Sequence, residues 1–178
     1  GPKVEEGGDH DVRPDHVSRD GDIIEGDGWS VEAVHTPGHT SNHVCFALRE
    51  EKAVFTGDHI MGWSTTVVSP PDGNMTDYFN SLDKLLARDD QRYYPTHGAP
   101  IDNVRDYVEA YRAHRQLRES QILDLLRKGP QTIAQMVAIM YADVPKNLHS
   151  AASRSVLAHL IHMVHDGRVA ADGEASAT

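Results

Sequence analysis

Three short stretches of this chain end an apolar run in a turn and then present a side chain able to bind a metal: Val34-His35-Thr36-Pro37-Gly38-His39-Thr40, Phe55-Thr56-Gly57-Asp58 and Tyr93-Tyr94-Pro95-Thr96-His97-Gly98. Imidazole nitrogens and carboxylate oxygens are the donors that suit zinc and related divalent ions, and strand ends hold donors better than mobile loops do. Pro37 fixes the chain ahead of His39, and Gly38 permits a close approach or a backbone angle barred to other residues. A single histidine after a strand is most often ordinary surface, and a lone Gly-Asp is usually a turn. Three such endings in one chain shift that balance toward a site.

The elements that must position these residues can be read from the apolar pattern. Gly1 to Asp20 is charged and rich in glycine, and reads as a lead-in loop. Short apolar segments around Ile23-Ile24, Val31 to Val34, Val44 to Leu48 and Ala53 to Phe55 read as strands, the last two joined through Arg49 to Lys52 as a hairpin. Gly62 to Gly73 is a shaped loop, and Asp77 to Ala87 has the spacing of an amphipathic helix. A strand over Arg92-Tyr93-Tyr94 is followed by a long helix from Asn103 to Lys128, which Gly129-Pro130 stops. Thr132 with Gln135 forms a capping box opening a helix to Tyr141. Another helix spans Asn147 to Asp166, and Gly167 to Ala170 is expected to start a final strand. Helix, turn, helix and strand together outline a winged helix.

The order and local sequence of HTPGHTSNH, FTGD and YPTHG resemble the metallo-β-lactamase superfamily. The run AHRQLRESQIL from Ala113 to Leu123 and the winged-helix pattern are similar to the branch containing β-lactamase-like protein 2, and fit hydroxyacylglutathione hydrolases less well. The likeness covers Gly21 to Gly167. It implies an α/β fold, with part of an αββα sandwich in residues 1–101 and a long helix plus winged-helix domain in residues 102–178. His39 would then bind one divalent metal, Asp58 would bridge two and act in catalysis, and His97 would bind the second. With zinc as the metal, metal-bound hydroxide would attack an ester, thioester or lactone. The superfamily's HxHxDH motif is absent. Its nearest counterpart, Asp11-Val12-Arg13-Pro14-Asp15-His16, has aspartate and arginine where histidines belong. The chain is therefore expected to be a fragment of a longer hydrolase, with an apolar sheet face left open. The alternatives are a non-catalytic remnant or interaction module and a nuclease of single-stranded RNA.

Composition narrows the partners. Lys and Arg number 17 against 27 acidic residues, a net charge of −10, so the chain as a whole does not attract nucleic acid or anionic membranes. From Gly129 onward only Lys146, Arg154 and Arg168 are fixed cations, which argues against duplex DNA. Arg105, Arg112, Arg115 and Arg118 interleave with Asp106, Glu109 and Glu119, the pattern of a solvated helix face rather than an RNA track. A small acyl substrate is the expectation, with RNA the second candidate and the winged helix serving for packing or as a homodimer contact. No apolar run approaches the ~20 residues of a membrane span, and a cytoplasmic location is expected. The single Cys45 reads as a small buried hydrophobe. Among the other histidines, His43 reads as either a neighbour supporting the ligands or a strand-surface residue, His59 as no ligand, His114 as helix surface ahead of a place lining the cleft between the two parts, and His159, His162 and His165 as a solvated face. Ser64, Thr65 and Thr66 stand where they could meet substrate.

Overall fold

The structure is a computed structural model that describes residues 13–172. Asp11 and Val12 of the motif-like stretch and the last six residues of the tail lie outside the described residues. Strands β1 (Ile23–Gly26), β2 (Trp29–His35), β3 (Val44–Leu48) and β4 (Ala53–Gly57) form an antiparallel meander, and β5 (Arg92–Pro95) adds parallel to β4. A parallel pair needs a crossover, and helix α1 (Met75–Leu86) supplies it. Helices α2 (Val104–Leu126), α3 (Ile133–Met140) and α4 (His149–His165) follow, with a single 3-10 turn at Lys146–Leu148.

Alternation of side chains along the strands sorts the sheet into two faces. The register pairs Val34 with Cys45, Ala47 with Val54, and Val54 with Tyr93; these residues pack into one core with Tyr78, Leu82 and Leu85 of α1 and Val108 and Tyr111 of α2. The other face carries Phe46, Phe55 and Tyr94 in register. Phe46 and Phe55 there remain 37% and 45% exposed, so this face presents apolar rings to solvent. Ile122 and Leu125, farther along α2, belong to a second core with Met136, Val137, Val156 and Met163. One helix therefore serves both cores.

The capping box forms as expected: the Gln135 N–H donates to Thr132 Oγ1 at 3.3 Å, and the Thr132 N–H donates to Gln135 Oε1 at 2.8 Å. Thr132→Ala should cost about 1 kcal/mol, read as a lower urea midpoint at unchanged slope; an unchanged midpoint would mean the cap contributes nothing. Helix α1 begins at Met75 rather than Asp77, because Asn74 accepts the Asp77 N–H at 3.1 Å and caps the helix there. The expected final strand at Gly167 to Ala170 does not form. The N–H groups of Arg168 and Val169 turn back to the Met163 carbonyl, at 2.9 and 3.2 Å, and so finish α4 instead of pairing with a strand. No helix of the described residues is long and apolar enough to cross a membrane.

Candidate metal centre

Two antiparallel steps separate β2 from β4, and β5 is parallel to β4, so all three strands run in the same direction. Their C-terminal ends share one sheet edge, and each of the three expected residues follows one of those ends. His39 Nε2 lies 3.8 Å from Asp58 Oδ2, and His97 Nε2 lies 3.6 Å from Asp58 Oδ1. Each imidazole thus faces a different oxygen of one carboxylate. The turn before His39 is held from α1: the Asn74 N–H donates to the Gly38 carbonyl at 2.9 Å, and Ser81 Oγ donates to the Pro37 carbonyl at 2.8 Å.

The pattern of donors and acceptors fits a cation. His39 Nδ1 is 2.6 Å from the Val67 carbonyl. A carbonyl can only accept, so Nδ1 carries a proton, and in the neutral ring the lone pair then lies on Nε2, toward Asp58. Asp58 Oδ1 is buried with no hydrogen-bond partner. On the His39 side, acceptor therefore faces acceptor across 3.8 Å, and the unpartnered Oδ1 is the oxygen that faces His97. Two donors on one zinc-sized ion, each ~2.0–2.2 Å from it, can stand up to ~4 Å apart, and both observed separations fall within that reach. Among the described residues, no group of three or more His, Cys, Asp or Glu side chains is placed to hold a single ion.

The neighbouring side chains take other roles. His43 is half-buried, with Nδ1 2.9 Å from Thr36 Oγ1 and its ring 6.2 Å from that of His39. Burial, then the nearby His39, pushes its pKa down to about 4, so it is neutral at pH 7. His59 is fully buried between His43 and Tyr78, and burial holds its pKa well below the usual value; it does not join the ligands. Thr66 is buried and donates its hydroxyl to the Asp58 backbone carbonyl, so it braces the chain at residue 58 rather than facing substrate. Cys45 is buried as expected.

The solvated-face reading fails for two of the three α4 histidines. His159 is 1% exposed, with Nδ1 3.3 Å from Glu119 Oε1, while His162 Nδ1 meets Thr76 Oγ1 at 2.8 Å; only His165 is open to solvent. Buried Glu119, which Arg168 Nη1 binds at 2.7 Å, gives the two rings a polar partner inside. Burial would raise the Glu119 pKa, but His159 and Arg168 outweigh it and lower it. For His159, burial prevails over Glu119 and lowers the pKa. The helix-surface reading also fails for Arg115, which is 3% exposed. His114 is partly buried, and burial followed by Arg115 and Arg118 brings its pKa to about 4.

These histidines set an acid limit on stability. Each has a folded pKa below the 6.5 of an exposed imidazole, so the unfolded chain binds protons first as pH falls. Stability is full above 6.5 and declines as pH drops from there toward the folded values. The thermal midpoint should be level above about pH 7 and fall toward about pH 5; a midpoint level across that interval would contradict the neutral, buried state of these rings.

Comparisons with known proteins bear on the family and the fold. Residues 2–97 match the family model described as the metallo-beta-lactamase superfamily, and residues 132–177 match the beta-lactamase associated winged helix domain. A beta-lactamase-like protein 2 homolog of Caenorhabditis elegans is 35% identical over 168 residues, covering 94% of this chain and 56% of the relative. An atrochrysone carboxyl ACP thioesterase of Aspergillus chevalieri is 35% identical over 137 residues, covering 77% and 43%. A crystal structure of a metallo-beta-lactamase family protein from Thermus thermophilus superposes with a TM-score of 0.77 at 29% identity, over 89% of this chain and 52% of that one. The chain spans about half the length of the curated relatives it matches.

Proposed function

Because the chain belongs to the metallo-β-lactamase superfamily, we propose that it forms part of a metal-dependent hydrolase in which His39, Asp58 and His97 are one side of a two-metal centre. The observation that carries this reading is one carboxylate whose two oxygens face two separate imidazole nitrogens at 3.8 and 3.6 Å. Divalent metal, zinc in this proposal, supplies acidity to a water and polarises the bond under attack in an ester, thioester or lactone. The Asp58 carboxylate offsets the charge of that pair. Val67 holds the His39 ring, and His97 stands at the open side with the exposed Trp63 ring 6.4 Å away, an apolar wall for an acyl group.

We place the remaining metal donors on a segment that packs against the apolar face of Phe46, Phe55 and Tyr94. An acyl substrate is favoured over RNA because the α2 cations are engaged: Arg115 is buried, Arg112 pairs with Asp83 at 3.0 Å, and Arg118 stacks over Tyr141. The relative named as an ACP thioesterase favours a thioester within that set. In this proposal the C-terminal helices support the site through α2 and do not read nucleic acid. The test is metal analysis of the gene product containing this chain, with rates on acyl thioesters, lactones, esters and single-stranded RNA. Thioester hydrolysis that a chelator abolishes and zinc restores is expected. A metal-free protein indifferent to chelators would sink the proposal.

A further inference from the structure

Helix α2 presents Tyr107, Tyr111, Arg115 and Glu119 at four-residue intervals, the spacing that keeps side chains on one helix face. The first three reach the segment between β4 and α1. Tyr107 Oη donates to the Met61 carbonyl at 2.9 Å; Tyr111 Oη accepts the Met61 N–H at 3.0 Å and shares its one proton between the carbonyls of Met61 and Ser64. Arg115 Nη2 donates to the Thr66 carbonyl. Glu119, one turn on, binds His159 and Arg168 of the C-terminal part.

The Arg115 contact leads directly to two of the three proposed ligands. Thr66, whose carbonyl it holds, donates its hydroxyl to the Asp58 backbone carbonyl, and Val67, the next residue, offers its carbonyl to His39 Nδ1. Arg115 itself lies 5.2 Å over the Tyr78 ring. Its partners among these contacts are a carbonyl and an aromatic face rather than a carboxylate. Burying a cation on such terms is costly, and what the contact secures is the course of the chain at Thr66 and Val67.

We propose that Arg115 is a positioning residue for the metal centre: by fixing the Thr66 carbonyl from α2, it holds His39 as the tautomer that leaves Nε2 free for metal and keeps Asp58 in place. The proposal rests on the metal-centre reading above, but its first readout needs no metal. Long-range ¹H–¹⁵N spectra of the metal-free chain should show His39 protonated on Nδ1. Arg115→Met, similar in length but without a donor, should give an averaged ring, and its zinc affinity by chelator competition should fall about 10–100-fold, as loss of a ligand's supporting partner does. Arg115→Lys, which returns a charged donor, should recover the tautomer; Arg112→Met, on the same helix but paired at the surface, should leave it as in wild type.

A folded Arg115→Met chain with the wild-type His39 spectrum would overturn the proposal. So would loss of the tautomer in Arg115→Lys and Arg112→Met alike. If Arg115→Met does not fold, Thr66→Val cuts the same line between α2 and Asp58 while keeping the backbone carbonyl, and an unchanged zinc affinity in that variant would also overturn it. A wild-type chain that binds no zinc would remove the metal-centre reading, while the tautomer spectra would still decide the role of Arg115.

Discussion

Asp58→Asn, in the gene product that contains this chain, is expected to lose both metals together and more than about 100-fold in hydrolysis. Loss of a partner that merely supports a ligand typically costs about 10–100-fold, and a shared ligand must exceed that. The carboxamide has nearly the same shape, so the reason is electronic. One carboxylate oxygen becomes an NH2 group, which leaves no acceptor there for a cation. The other oxygen loses its formal charge. Because His39 and His97 address different oxygens, at 3.8 and 3.6 Å, the substitution damages both half-sites, whereas His97→Ala damages one directly. The metal-free variant should melt no lower than metal-free wild type, since with the NH2 group toward His39 a donor faces an acceptor where two acceptors stood. Metal stoichiometry, initial rates and melting of the stripped proteins provide the three readings. Two metals retained, or activity within tenfold of wild type, would remove Asp58 from the bridging position.

The legibility of this site follows from how its residues are held. His39, Asp58 and His97 stand out in the sequence because each follows an apolar run through a proline or glycine turn, and the strand directions bring these three ends together at one edge. The capping box at Thr132 was readable because both partners lie within one turn of chain. Glu119 and His159 are 40 residues apart, and nothing local to either announces the other. Helical periodicity locates the apolar stripe, but a polar residue at its margin is buried or solvated according to what the facing helix offers. Arg115 looked like one cation in a mixed run for the same reason, although the four-residue spacing of Tyr107, Tyr111, Arg115 and Glu119 was available as a signal. The missing strand at Gly167 is a different case. Its donors had a nearer acceptor in the Met163 carbonyl at the end of α4, and local closure of a helix end competes well with a strand that lacks a partner.

Gly38 connects fold and site most tightly, and Gly38→Ala is expected to destabilise the chain by about 2–6 kcal/mol, the sum of a strain cost and a packing cost. Its φ of +134° lies where a residue with a side chain is strained, at a cost of about 1–3 kcal/mol. A Cβ at that position would also stand 2.4 Å from Tyr78 Cα and 2.6 Å from both its N and its Cβ. Forcing room in a packed interior adds about 1–3 kcal/mol. These close atoms include backbone of α1, which cannot swing aside as a side-chain tip can. The helix would have to shift, taking with it the Asn74 bond to the Gly38 carbonyl and the Ser81 bond to the Pro37 carbonyl. His39, the next residue, would then lose its alignment with Val67 and Asp58. Urea unfolding and zinc competition should therefore fail together in this variant. Adding Tyr78→Ala should not rescue it, because Cα and N of residue 78 remain in the way. Recovery in the double variant would show that the clash lies with the tyrosine ring, and a single variant within about 1 kcal/mol of wild type would show that the turn can move away from α1 without releasing His39.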